Sequence, residues 1–537
     1  MRRQAGLAGR AAGAVLAAAL AATACSGGGQ GGAGRAQGGQ RTPGPATFAG
    51  RDGVEARWMI AQNKLPGTTA WQIHGPHAGI EGFANLVYAR PEQRVTLYVS
   101  TSGRSFRAQA FRMGYYQGKG ARLVWQSGQL AGRRQPACPL TRGINMVACD
   151  NWSPSLTFPV TRDFVQGDYL IKLTSPGNRQ RYVPLTVWDP ASTATYVIKN
   201  DVFTWQAWNP FGGYDFYTGL GSCPAGVYPL CSRARVVSFD RPYDAENGSG
   251  NFLTLEYPLV RWAEQHGLDV SYATDLTVQQ DPSWLLRRRV LLSLGHDECW
   301  SLGERQAAVT ARDHGVNIVF FAASPILRHV RTQASPLGPD RQEIDYRDSA
   351  QDPLNGQGNP RQVTGNEWAS PPASWPEYDF VGDTYEGFLE PGLHAGFRVA
   401  DASAWVFQGT GLRDGSVIPG VIASDVDKFD VALGQPADDQ VLARSPLAAG
   451  LGQAILSPFE SDMTYYTDPR GGAGIVDTGT NNWIPALGDD RDGCRGGGIC
   501  ALTAVRQITA NILRVFGEGP AGRTHPSVPN RRQITGQ

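Results

Sequence analysis

The chain has 537 residues, which at roughly 150 per domain allows two large domains or three to four ordinary ones. Its 49 Lys+Arg balance 48 Asp+Glu, and a net charge of +1 leaves no global electrostatic footprint for DNA, RNA or an anionic membrane surface. An aromatic content of 10% with 14 Trp excludes a disordered chain, and no apolar run reaches the roughly 20 residues of a membrane-spanning helix.

Residues 1–24 read as an export signal. Arg2 and Arg3 make a basic start, Ala11 to Ala24 is a short apolar stretch, and Ala22-Thr23-Ala24 leads into Cys25. This pattern fits a bacterial lipoprotein, with Cys25 as the lipidated first residue anchoring the protein to the cell membrane. The alternative is an ordinary secretory signal cut near Ala24, leaving Cys25 as a free thiol. Both place the protein outside the cytoplasm. Residues 25–50 then read as a flexible tether: nine of the twenty residues 26–45 are Gly, and such a segment reaches about 25 Å.

Residues 51–190 read as β. Arg94 to Ser100 alternates apolar and polar, as do Arg107 to Arg112 and Tyr169 to Leu173, and Tyr182 to Trp188 closes the series. Gly and Pro clusters punctuate these runs, and the spacing predicts an immunoglobulin- or fibronectin-like β-sandwich. After Asp189 the pattern changes. Thr195 to Ile198 predicts a strand, Leu253 to Gln265 a helix closed by Gly267, and Val270 to Ala273 a strand ending at Asp275. Val290 to Leu294 predicts a buried strand. A helix from Leu302 to His314 follows, capped by Ser301 and ended by Gly315, and Val316 to Phe321 is the next strand. This alternation predicts an α/β domain with a parallel sheet over residues 191–518. Within it, residues 335–400 read as a long Pro-, Gly- and Asp-rich insertion. A last helix spans Leu502 to Phe516, and residues 519–537 form a polar tail.

Cysteine usage agrees with export. Six cysteines fall into close pairs, Cys138/Cys149, Cys223/Cys231 and Cys494/Cys500, each able to close a local disulfide loop. None has CxxC spacing or a nearby histidine, which argues against zinc. Cys299 is left over.

In open parallel sheets ligands bind at the carboxyl ends of strands. Three such ends stand out: Asp275, the run Gly295-His296-Asp297-Glu298-Cys299-Trp300, and Ala322-Ala323-Ser324-Pro325. The second brings an imidazole, two carboxylates and a thiol directly after a strand, a set suited to proton transfer or metal binding. The alternative is that Asp297 and Glu298 stabilise a helix N-terminus and His296 anchors a loop. Ser324 lacks the G-x-S-x-G context of a nucleophile elbow, and neither His329 nor His394 stands where a triad partner would. The stretch Trp205-Gln206-Ala207-Trp208-Asn209-Pro210-Phe211-Gly212-Gly213-Tyr214 offers stacking faces and amide groups, as sugar sites do, or else is a packed loop. Met463 to Tyr466 and Gly479 to Trp483, including Asn482, share that character.

Taken together these segments are similar to the N,N-dimethylformamidase large (beta) subunit-like family. Trp205-Gln206-Ala207-Trp208-Asn209 with Phe211-Gly212-Gly213, then Gly295-His296-Asp297-Glu298-x-Trp300-Ser301, Gly409-Thr410-Gly411-Leu412, Met463-Thr464-Tyr465-Tyr466 and Gly479-Thr480-x-Asn482-Trp483 carry the resemblance. It runs from about Trp71 to Phe516. It implies a class I glutamine amidotransferase-like α/β domain behind the β-sandwich. It also implies hydrolysis of a small amide with an iron held by two tyrosines and a glutamate. Where relatives are expected to carry Tyr this chain has Cys299, and where they carry Tyr-Glu it has Ser424-Asp425. Cys299 and Asp425 are therefore candidate metal ligands, with Tyr214, Tyr243 or Tyr257 as the remaining phenolate. The candidate catalytic residues are His296, Asp297, Glu298 and Asn209. Trp205, Trp208, Tyr214, Asp275 and Asn482 are candidates for substrate binding. The sequence thus supports an envelope-anchored, metal-dependent amide hydrolase, or a non-catalytic cell-surface protein that binds glycan or a partner.

Overall fold

The structure, a computed structural model, describes residues 47–221, 223, 229–488 and 500–535. The export signal at residues 1–24, Cys25 and the tether up to Ala46, and Cys494, lie outside the described residues.

Residues 80–187 build two sheets around one apolar core. One runs Tyr88–Ala89, Arg179–Val187, Gly167–Ser175, Ser105–Met113 and Ala121–Gln126, with Leu130–Ala131 added to Ser105–Met113. The other runs Leu156–Pro159, Arg94–Thr101 and Ile80–Ala84. The alternation seen in the sequence is the cause: Val95, Leu97 and Val99 on one sheet, and Phe106, Ala108 and Ala110 on the other, all turn into the shared core.

The largest sheet has seven strands, in the order Val270–Thr274, Tyr196–Asn200, Val290–Gly295, Asn317–Ala322, Gly474–Asp477, Glu460–Thr467 and Gln440–Pro446. The first five pair in parallel and the last two are antiparallel. Tyr196–Asn200, Val290–Gly295 and Asn317–Ala322 are buried along their whole length, as strands covered on both faces must be. Ser301 caps the helix Leu302–Asp313 through a capping box. Its hydroxyl accepts from the Glu304 amide at 3.2 Å, and Glu304 accepts the Ser301 amide in return. Gly315 then takes a φ of +90° beyond the helix end.

These findings correct the fold expected from sequence. The chain is not a parallel-sheet, glutamine amidotransferase-like domain preceded by an immunoglobulin/fibronectin-like sandwich. It is mostly β with some helices, and the strands of the described residues fall into eight sheets, none a closed barrel. Even the largest sheet is mixed. Between Arg328 and Ala454 the chain builds small sheets that are mostly antiparallel: Arg328–Ser335 with Gly338–Ile344, Ala395–Arg398 with Val417–Ile422, and Thr384–Leu389 with Asp425–Lys428 and Gly452–Ala454. Short apolar runs read alike whether they pair in parallel or antiparallel, because the pairing is a tertiary choice. No helix of the described residues is long and apolar enough to cross a membrane.

Two disulfides are formed, Cys138–Cys149 and Cys223–Cys231. Cys500 is disulfide-bonded as well. Cys299 is a free, buried thiol.

Candidate active site

The carboxyl ends of the parallel strands concentrate the polar residues. Tyr196–Asn200 delivers Lys199 and Asp201, Val270–Thr274 delivers Asp275, Val290–Gly295 delivers His296 to Glu298, and Asn317–Ala322 delivers Ser324. Gly295 turns the chain out of its strand at a φ of +51°. A Cβ there would meet the Leu255 carbonyl at 2.5 Å, so the turn requires glycine.

Glu298 is the hub. It is 3% exposed. Its Oε2 accepts from the Trp208 indole (2.9 Å) and the Tyr217 hydroxyl, and its Oε1 accepts from Arg328 Nε (3.2 Å). His296 Nε2 lies 3.4 Å from Glu298 Oε2 and 3.4 Å from Asp425 Oδ2. The Ser324 hydroxyl donates to the same Asp425 oxygen at 3.1 Å. Ser324 itself holds a φ of +55°, and its amide donates to both oxygens of Asp427 (2.8 and 2.9 Å). Trp208 stacks on Tyr217 with centroids 3.7 Å apart, and Arg347 covers the tyrosine ring. Trp208 is 39% exposed and forms the solvent edge of the site.

The protonation pattern follows from this geometry. Burial pushes the Glu298 carboxyl up, but His296, Arg328 and the Tyr217 hydroxyl outweigh it and hold Glu298 well below the usual carboxylate range. Burial pushes the His296 imidazole down, yet its bond to Glu298 and the charge of Asp425 leave it above its ordinary value. Burial, then Glu298 among the charges, raises Asp425 against the pull of His296. Tyr217 is raised by burial and by Glu298, which keeps it a neutral donor. Tyr385 is raised by burial, then by Asp425 and Glu298.

The other predicted site residues are placed as follows. Asp297 and Asp275 turn to Lys199: its ammonium bonds Asp297 Oδ1 at 2.8 Å, Asp275, Glu304 at 3.0 Å and Asp201 at 3.3 Å, all buried. These carboxylates neutralise a buried cation. Asn209 is a buried loop anchor, donating to Gln206 and the Pro242 carbonyl and accepting the Asp244 amide. Trp205 gives its indole proton to Glu256 at 2.6 Å. Asn482 donates to the carbonyls of Gly420 and Val421 (3.1 Å each). Tyr214 lines a separate groove with Trp152, Phe211 and Leu220. The Cys299 thiol sits in the main apolar core, where burial and then Glu298 keep it protonated. Tyr243 edges onto Trp205 and Tyr257 donates to the Gly120 carbonyl.

Sequence reading missed Tyr217, Arg328 and Tyr385. None lies in a motif, and only the fold brings them to residue 298.

The iron implied by the resemblance can be tested against this donor set. His296 Nε2 is buried and lies 3.4 Å from a carboxylate oxygen of Glu298 and 3.4 Å from one of Asp425. The Tyr217 oxygen lies against Glu298. Oxygen and nitrogen donors of this kind suit iron. Glu298 and Tyr217 are the residues that would hold it, with His296 at their side.

No curated protein matches this chain. Among solved structures, a cycloisomaltooligosaccharide glucanotransferase from Paenibacillus sp., complexed with cycloisomaltoheptaose, aligns at 8% identity over 24% of this chain and 16% of that one, with a TM-score of 0.14. Murine CEACAM1b aligns at 14% identity over 22% of this chain and 61% of that one, with a TM-score of 0.12. The chain thus spans less than two thirds of either structure, and similarities this low carry no argument. The family model described as N,N-dimethylformamidase beta subunit-like, C-terminal, matches residues 107–495. That span is most of the chain and contains every residue of the site around Glu298: the chain belongs to the N,N-dimethylformamidase beta subunit-like family.

Proposed function

We propose that this protein hydrolyses the C–N bond of small amides at the site centred on Glu298. The family suggests an amide hydrolase-like function. The observation that carries the reading is the convergence of His296 on both Glu298 and Asp425 at 3.4 Å, with the Tyr217 phenol and Arg328 on the same carboxylate.

Hydrolysis needs a base for water, a donor for the carbonyl oxygen and an acid for the leaving nitrogen. Asp425 is the base in this reading: one oxygen already accepts from Ser324, which fixes the carboxylate while it takes a proton from water. The neutral Tyr217 hydroxyl and the cationic Arg328 guanidinium supply donors where oxygen develops negative charge. His296 lies between the two carboxylates and delivers the proton to the departing amine. Trp208 and Tyr217, stacked at the rim, hold a small apolar N-substituent and shed water. A bound iron would add Lewis acidity toward the carbonyl and lower the pKa of bound water.

Purified protein loaded with iron and offered a panel of formamides, acetamides and their N-methyl derivatives tests this, with products followed by proton NMR. Release of amine and carboxylate in equal amounts is expected. No product from any amide would remove the reading.

A second reading rests on a different observation. A groove of about 620 Å³ is lined by Trp152, Phe211, Tyr214, Glu81 and Arg134, a mixture of aromatic faces and charges that suits glycan binding. Glycan-array signal lost on Trp152→Ala, in a protein inert toward amides, would favour it. On either reading we infer anchoring at the envelope through a lipid on Cys25. Cys25→Ser then shifts the protein from the membrane fraction to the soluble one.

A further inference from the structure

Away from Glu298, three aspartates meet in the interior, and no basic side chain of the described residues bonds them. Asp383, Asp427 and Asp477 are each 0% exposed, and one oxygen from each lies within 4.8 Å of the others. Asp477 ends the strand Gly474–Asp477, Asp427 lies in Asp425–Lys428, and Asp383 directly precedes Thr384–Leu389. The contrast with Lys199 is instructive, because there four buried acids surround an ammonium. Here the adjacent base, Lys428, donates to the Pro458 carbonyl at 2.8 Å instead, and Arg444 is taken by Glu460.

The cluster is also short of hydrogen-bond donors. Among the described residues, neither oxygen of Asp477 and only one of Asp383 takes a donor from outside the cluster; Asp477 meets only the carboxyls of Asp383 and Asp427. Asp383 Oδ2 accepts from Thr464 at 3.3 Å, and Asp427 takes the Ser324 amide. A fourth acid, Asp439, is 0% exposed with both oxygens unpartnered. It lies on the same side: a Cβ on Gly382, which has a φ of +105°, would sit 3.2 Å from Asp439 Oδ1 and 3.4 Å from Thr464 Oγ1. Glycine at 382 keeps that space open. Buried carboxylates left without donors or counter-charge are strongly destabilising. They persist by sharing protons or by holding a cation.

We propose that Asp383, Asp427 and Asp477, with Asp439 beside them, form a calcium site separate from the site at Glu298. The donors are all hard oxygens, the set that calcium selects. Calcium accepts a cage of several protein carboxylates in flexible geometry, whereas magnesium keeps most of its waters and is usually held by one or two carboxylates, so three converging aspartates favour calcium. The site joins three chain segments that lie far apart in sequence. Through Asp427 and Ser324 it also fixes the turn whose hydroxyl holds Asp425.

The test uses the full chain stripped with EDTA and titrated with CaCl2, with MgCl2 as control. Elemental analysis after gel filtration in calcium should give close to one calcium per chain, and the thermal midpoint should rise by several degrees at saturation. Asp477→Asn should fold without calcium at least as well as the stripped wild type, having lost a repulsive charge, and should show no calcium-dependent rise. Glu298→Gln should keep the rise. No bound calcium and no rise in wild type would overturn the proposal and leave proton sharing. So would a rise retained in Asp477→Asn, or one produced by magnesium alone. If Asp477→Asn fails to fold, Asp439→Asn is read the same way, and the wild-type stoichiometry stands by itself.

Discussion

Replacing Lys199 with Met removes the one cation among four buried acids. Lys199 Nζ lies 2.8 Å from Asp297, 3.0 Å from Glu304 and 3.3 Å from Asp201, and it also bonds Asp275. Burial alone would lower the lysine, but these charges hold it well above its ordinary 10.5. The lysine is therefore charged throughout the neutral and acid range. Methionine fills much of the same volume, so the loss is electrostatic. Breaking a buried pair in this way costs about 3–5 kcal/mol. The acids can escape by taking protons. Burial already raises Asp201 and Glu304 well above their ordinary values and Asp275 to about 6. A carboxyl raised in the folded state binds protons more tightly there than when unfolded, so acidification favours the fold. Without Lys199 that effect is larger. The stability gap between wild type and Lys199→Met should therefore be widest near pH 7.5 and narrow toward pH 5.5. Urea unfolding followed by tryptophan fluorescence at the two pH values measures it. A loss below about 1 kcal/mol at pH 7.5, or a gap that widens on acidification, would refute the argument.

Arg112→Met should cost a similar amount, about 3–5 kcal/mol. It strands Glu264, which accepts Arg112 at 2.6 and 3.1 Å with both side chains fully buried, and adding Glu264→Leu should restore part of the loss in a double-mutant cycle. Gly295→Ala should lower the thermal midpoint and reduce amide turnover together, because the new Cβ meets the Leu255 carbonyl at 2.5 Å and displaces His296. Trp208→Ala should leave folding intact, since the ring is 39% exposed. It should cut kcat/KM about 10- to 100-fold through the lost indole bond to Glu298; steady-state kinetics with circular dichroism as control decide it.

Local signals in the sequence translated well into local structure. Ser301 followed three residues later by Glu304 announces the helix start, and the capping box is formed. Cys138 and Cys149, close in the chain, are bonded. The polar run after Val290 to Leu294 stood out because parallel sheets bind ligands at strand carboxyl ends, and the fold brings His296 against Glu298 there. What stayed hidden depends on chain reversals that no local pattern encodes. Tyr217 and Glu298 are 81 residues apart, and nothing near Tyr217 marks it. Lys199 sits inside a strand that reads as apolar, so its role shows only when Asp201, Asp275, Asp297 and Glu304 are brought around it. The fold class was misjudged for the same reason. The short strands between Arg328 and Ala454, a stretch that holds the expected insertion 335–400, carry no mark of which neighbour they pair with, and they form small, mostly antiparallel sheets.

The central claim is that the side chains meeting at Glu298 perform the chemistry. The direct measurement is single-turnover hydrolysis of the best amide by wild type, Glu298→Gln and Asp425→Asn, at matched protein and iron. Both variants should stay folded and each should lose more than about 100-fold in rate, Asp425→Asn by removing the base and Glu298→Gln by removing the carboxylate that positions His296, Tyr217 and Arg328. Turnover at the wild-type rate in either variant would contradict it.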